Sequence, residues 1–281
     1  VRLGWALALV GILGVALVAT HATRGFRWHT IESGLDFTTI SGEPYCRRGS
    51  AEIGVLRIDP QRFRLRVRHH SELSGEEPPN VIEWRARTDA VAVFNAGQYY
   101  PDYRYMGLLV SGGRVLSDRM HPEFKAALVA EPDGGTTRAS AAGARRRARV
   151  VDLLDEAIDP ESPGWREVAQ SFMLFDRQGR VRVRKTERIA NRTVVAEDRR
   201  GRLLVMTTEG GYTLWELAQL LRDGPLEPTQ ALSMDGGAEA KLVVKDGDFA
   251  YASFGPWQGG NGARSPGSDV PLPAVITVHR R

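Results

Sequence analysis

Hydrophobic positions lay out a strand, a helix and a second strand between residues 191 and 237. Leu203-Leu204-Val205-Met206 is a short apolar run that ends at Thr208-Glu209-Gly210-Gly211, the pattern of a buried strand. Beyond the glycines, Leu214, Leu217, Ala218 and Leu221 recur at helical spacing and give one apolar face. Thr213 and Glu216 have the spacing of a capping box, in which each side chain satisfies the other's orphan backbone N–H. A second short strand is predicted from Gln230 to Met234. The unit then closes on Asp235-Gly236-Gly237, a loop whose glycines let the backbone approach a ligand.

Elsewhere the pattern predicts more strands than helices. Val91 to Asn95 is a strand leading into Asn95-Ala96-Gly97-Gln98-Tyr99-Tyr100, and Gly107 restarts another after a loop. From Arg62 to Arg68, Phe63, Leu65 and Val67 alternate with arginines. That is a strand with a solvated basic face, or a surface turned to an anionic substrate or membrane. Arg180 to Lys185 alternates in the same way and predicts a basic strand leading to Arg192. Val150 to Ile158 fits a short helix or a strand equally. Glu72 to Asn80 is a loop, and Gly255 to Gly262 a loop in which Trp257 is placed to act as a lid. Residues 131–149 are poor in large apolar side chains and read as a flexible basic insertion. Arg145, Arg146, Arg147 and Arg149 lie there without interleaved aromatics, so a nucleic-acid surface is not predicted.

The N-terminus has a separate purpose. Residues 3–19 carry no charge and follow Arg2. About 17 apolar residues suit a short membrane span or a long signal core, so residues 1–22 are an uncleaved signal anchor or a signal peptide. Either assignment puts the rest of the chain on the extracytoplasmic side. Residues 23–50 then read as a linker leading into one domain over 51–281. A net charge of +4 with pI about 9.4 favours anionic partners such as phosphate esters. Cys46 is the sole cysteine, so no intrachain disulfide forms, and a thiol–metal site cannot be built from it and scattered histidines. No metal site is predicted, and no motif names a cofactor.

Asn191-Arg192-Thr193, the apolar strand, the Thr-Leu-x-Glu-Leu-Ala-x-Leu-Leu helix and the Asp-Gly-Gly loop together resemble the phosphodiester glycosidase family. So do Val93 to Tyr100 with Gly107 to Val110, Gln170 to Leu174, and Pro273 to Val278, in that order along the chain. The resemblance implies an α+β fold, a single mixed-sheet domain behind the N-terminal apolar helix. It also implies an exported hydrolase that cleaves a sugar from a phosphodiester-linked glycan of the cell envelope or exopolysaccharide. Asp235 and Glu209 are then the catalytic carboxylates. Asn95, Gly97, Tyr99, Tyr100, Arg192, Thr193, Gly236 and Gly237 hold substrate, with Arg192 clamping phosphate and a tyrosine stacking on the sugar. Asn191-Arg192-Thr193 also matches a glycosylation sequon. One departure stands out: the loop continues Gly237-Ala238-Glu239 where the family has Gly-Gly-Ser, which removes a hydroxyl and adds a carboxylate. A non-catalytic glycan-binding module with the same fold is the competing expectation.

Overall fold

The computed structural model describes residues 26–74, 77–133, 146–255 and 267–281. Sixteen strands and two α-helices form among them. The strands are β1 (His29–Glu32), β2 (Leu35–Ser41), β3 (Glu52–Ile58), β4 (Phe63–His69), β5 (Ala92–Asn95), β6 (Leu109–Ser111), β7 (Arg114–Ser117) and β8 (Ala126–Pro132). They continue with β9 (Ala148–Asp152), β10 (Trp165–Phe175), β11 (Arg192–Glu197), β12 (Leu203–Thr208), β13 (Gln230–Gly236), β14 (Leu242–Asp246), β15 (Phe249–Ser253) and β16 (Ala274–Arg280). The helices are α1 (Val81–Thr88) and α2 (Leu214–Asp223).

Eleven strands make one sheet, β1-β2-β3-β12-β11-β13-β10-β6-β7, with β8 joined to β10 and β9 to β8. Five make a second, β15-β14-β5-β16-β4. The inner faces share one core, with Leu56, Val205 and Leu232 from the first sheet meeting Leu65, Phe94 and Ile276 from the second. Outside the larger sheet, Leu217 and Leu221 of α2 pack on Val194, Leu204 and Met206. Outside the smaller one, Val81 and Trp84 of α1 pack on Val93, Val243 and Val275. The layering therefore runs helix, sheet, sheet, helix. It explains why Leu203 to Met206 is apolar without interruption: Leu203 and Val205 face the inter-sheet core while Leu204 and Met206 face α2. Each such leucine contributes about 1.5–3 kcal/mol by burial.

Several expectations change. Every ladder between the named strands is antiparallel, and there are two sheets in place of one mixed sheet. β11 lies between β12 and β13 and pairs with both. β1 and β2 occupy the stretch expected as a linker, and β2 pairs with β3 along its length, so the sheet begins ahead of Ala51. The predicted strand at 180–185 is reduced to one bridge, Val181 to Phe175. Asp176 takes hydrogen bonds from Arg180 (2.7 Å) and Arg182 (3.1 Å), and this turn replaces a ladder. Thr213 caps α2 by accepting the Glu216 N–H (3.2 Å), but the Glu216 carboxylate turns to the Thr213 hydroxyl and to Arg47. The box is therefore half made.

Residues 3–19, most of the 131–149 insertion and Trp257 lie outside the described residues. Among the described residues no helix is long and apolar enough to cross a membrane.

Candidate active site

The two sheets meet at the end of β5, and the meeting is made by one side chain. Asn95 is 1% exposed and bonds in both directions. Its Oδ1 accepts the Thr193 hydroxyl (2.7 Å) and the Lys241 N–H (3.0 Å), while its Nδ2 donates to the carbonyls of Ala96 (3.1 Å) and Asp235 (3.0 Å). Both amide atoms are spent on protein partners, so Asn95 staples β5 to β11 and β13. The Asp235 N–H adds a bond to the Ala96 carbonyl (3.0 Å). On β13, Gly236 faces Arg192 and Ser233 faces Val194, so Met234 and Asp235 oppose the single residue Thr193. This bulge re-aims Asp235, as bulges beside functional sites do. Gly236 is required there, since a Cβ would stand 2.7 Å from the Asn191 carbonyl.

Asp235 opens into a cavity of about 1040 Å³. Gly236, Gly237 and Glu239 continue its floor, and Arg48, Arg188 and Arg192 contribute cations. His121, Phe124 and Phe172 form an aromatic part of the lining. The His121 and Phe124 rings stack at 4.0 Å, and Phe172 meets Phe124 edge-on at 4.6 Å. Gln98 also lines the cavity, and its Oε1 is buried without a partner among the described residues. A buried acceptor left in this state costs about 1–3 kcal/mol unless a ligand donates to it.

The electrostatics follow from this crowding. Burial, then the neighbouring Glu239 carboxylate, pushes Asp235 up to about 7, against the pull of the Gly236 N–H, Arg188 and Arg192. Arg192 is 7% exposed, and burial followed by repulsion from Arg188 brings it down to about 10. It remains a cation at neutral pH. Two of its nitrogens are committed: Nε donates to the Tyr212 carbonyl (3.1 Å) and Nη2 to that of Arg188 (2.9 Å). Nη1 has no hydrogen bond among the described residues. The Arg188 side chain is exposed and lines the cavity.

The structure divides the sequence-predicted site residues into three groups. Asp235, Arg192, Gly236 and Gly237 line the cavity together. Asn95 and Thr193 stand directly behind Asp235, bonded to each other and closed to solvent, and Tyr99 reaches the cavity through Glu239, 3.4 Å from its hydroxyl. The third group stands away. The Glu209 carboxylate accepts the Tyr251 hydroxyl (3.1 Å) and does not line the cavity. Tyr100 lies under Arg104, and Gly97 exists for a close approach, its N–H donating to the Tyr105 hydroxyl (3.0 Å). Asn191 is buried and donates to the Thr208 and Gly210 carbonyls, which removes the sequon from consideration in the folded chain. Sequence reasoning missed Arg188, Gln98 and the aromatic group. Gln98 lies within the Asn95–Tyr100 motif, and Arg188 lies four residues ahead of Arg192.

No curated protein matches the sequence. Among solved structures, a hypothetical protein from Synechocystis superposes with a TM-score of 0.60 at 13% identity, over 92% of this chain and 64% of that one. The chain therefore spans less than two thirds of that protein's length. The zebrafish N-acetylglucosamine-1-phosphodiester alpha-N-acetylglucosaminidase catalytic domain, auto-inhibited by its pro-peptide, gives 0.55 at 15% identity, over 92% of this chain and 82% of that one. At such identities the likeness is one of fold. The sequence profile of the phosphodiester glycosidases matches residues 88–278, and the chain belongs to that family.

Proposed function

We propose that this chain hydrolyses the bond between the anomeric carbon of a sugar and the phosphate of a phosphodiester. The observation that carries this reading is the placement of Arg188 and Arg192 beside Asp235 in one cavity. A phosphate monoester is a weakly basic leaving group, so neutralising its charge matters more than protonating it. Arg188 and Nη1 of Arg192 supply that neutralisation, and Arg192 is already fixed by its two carbonyl bonds. Asp235, poised near 7, is matched to neutral pH: once ionised it takes a proton from the water that attacks the anomeric carbon. Gln98 Oε1 accepts from a sugar hydroxyl, and Phe124 with Phe172 forms a wall for the sugar's apolar face. The substrate class is a phosphodiester-linked glycan of the cell envelope or exopolysaccharide, reached by export through residues 3–19.

The test compares two substrates, a sugar 1-phosphodiester and an aryl glycoside of the same sugar with a neutral leaving group. Arg188→Ala should slow the first by about 10- to 150-fold, the equivalent of about 1.5–3 kcal/mol for a charged hydrogen bond, and the second far less. Equal losses on both would remove the phosphate clamp. Binding of the phosphodiester without turnover by the folded wild-type chain would leave a glycan-binding module in its place.

A further inference from the structure

Besides Asp235 the cavity lining holds two carboxylates that the reading above leaves unused, Glu187 and Glu239, and of these Glu239 is the one that acts on Asp235. Gly237, at φ 77°, opens a single 3₁₀ turn over Gly237–Glu239, closed by a bond from the Ala240 N–H to the Gly237 carbonyl (3.2 Å). Ala238, between them, is buried and anchors the turn. The turn folds Glu239 back over its own start, so that a Cβ on Gly237 would lie 3.6 Å from Glu239 Oε2. Its other oxygen, Oε1, lies 3.4 Å from the Tyr99 hydroxyl, which arrives from the loop after β5. Burial and the two carboxylates Glu239 and Asp235 push the Tyr99 phenol upward, which keeps it a proton donor.

We propose that Glu239 is the second catalytic carboxylate of this site, facing the anomeric carbon beside Asp235, with Tyr99 as its positioning donor. The inference rests on the glycosidase reading. As the C1–O bond breaks, its electron pair goes to the phosphate oxygen and positive charge builds on the sugar ring. Glu239 stabilises that charge without gaining or losing a proton, while the water oxygen bonds to C1 and its proton passes to Asp235. Glu239 also raises the proton affinity of Asp235, which couples the two residues in any pH profile. Among the described residues the charged and titratable groups facing Asp235 and Glu239 are Arg188, Arg192, Tyr99, Tyr105 and Lys241, with Arg48, Glu187 and His121 elsewhere in the lining.

The experiment measures kcat, KM and the pH–rate profile of the full chain on the methyl phosphodiesters of glucose 1-phosphate and N-acetylglucosamine 1-phosphate. Glu239→Gln should lower kcat by about 10²–10³-fold with KM little changed, and should move the acidic limb of the profile to lower pH. Tyr99→Phe should lower kcat less and leave the limb nearer its original place, because the charge remains and only its donor is lost. A Glu239→Gln variant that keeps kcat within about threefold and the same limb would overturn the proposal. If the wild-type chain turns over neither substrate, the glycosidase reading fails on its own. The pairing is then read by carbon-13 NMR titration of the Asp235 carboxyl in wild type and Glu239→Gln, and coincident midpoints would overturn it.

Discussion

Replacing Asp235 with asparagine should stabilise the fold, and by an amount that grows with pH. An aspartate ordinarily ionises near 3.8 and Asp235 near 7, because burial and Glu239 disfavour its charge. Each tenfold change in proton affinity is worth about 1.36 kcal/mol, so ionising Asp235 in the folded chain costs on the order of 4 kcal/mol more than in the unfolded chain. Its partial access to cavity water reduces this to about 2–4 kcal/mol. The sign follows from proton counts. Between pH 3.8 and about 7 the folded state binds more protons than the unfolded state, so stability falls as pH rises through that window and stays low above it. Asparagine keeps an Oδ1 for the Gly236 N–H (2.8 Å) and leaves the backbone bonds of residue 235 in place. The difference in unfolding free energy between variant and wild type therefore isolates this one carboxyl. About a quarter of the penalty is already present at pH 4.5, so urea unfolding at pH 4.5 and pH 8.5 should give a difference that increases by about 1.5–3 kcal/mol. Differences that agree within about 0.5 kcal/mol at the two pH values would show that Asp235 ionises normally, and the neutral-pH base would be lost with it.

Asn95→Ala should destabilise the chain by about 3 kcal/mol or more, since it strands the Thr193 hydroxyl, the Lys241 N–H and the Asp235 carbonyl at once; a denaturation midpoint unchanged from wild type would contradict the staple. Glu209→Gln should change turnover of a sugar phosphodiester by less than about threefold, and a loss of 10²-fold would return Glu209 to the site. A reporter active only in the cytoplasm, fused after Arg281, should be silent if residues 3–19 export the domain, and its activity would refute that placement.

What the sequence disclosed and what it hid differ by distance along the chain. α2, β12 and β13 were legible because a period, a cap and a glycine break each lie within a window of about ten residues. The apolar run of β12 said that both faces were buried but could not say by what, and β11 slipped between β12 and β13 without a local trace. The motif reads Asn95 as a substrate contact, yet three of its partners lie 98, 140 and 146 positions away, and only those partners distinguish a staple from a ligand contact. Glu209 was chosen because it sits beside the glycines, and Tyr251, 42 positions on, takes it elsewhere. Glu239 was visible only as a carboxylate in an unusual place. Proton affinity is set by neighbours and not by motif: Asp235 owes its value to burial and to Glu239 on the next turn, opposed by Arg188 and Arg192 from the approach to β11. The same Asp-Gly-Gly loop in a chain without that glutamate would hold a stronger acid, so the departure at 239 alters the chemistry of a residue that the motif leaves unchanged.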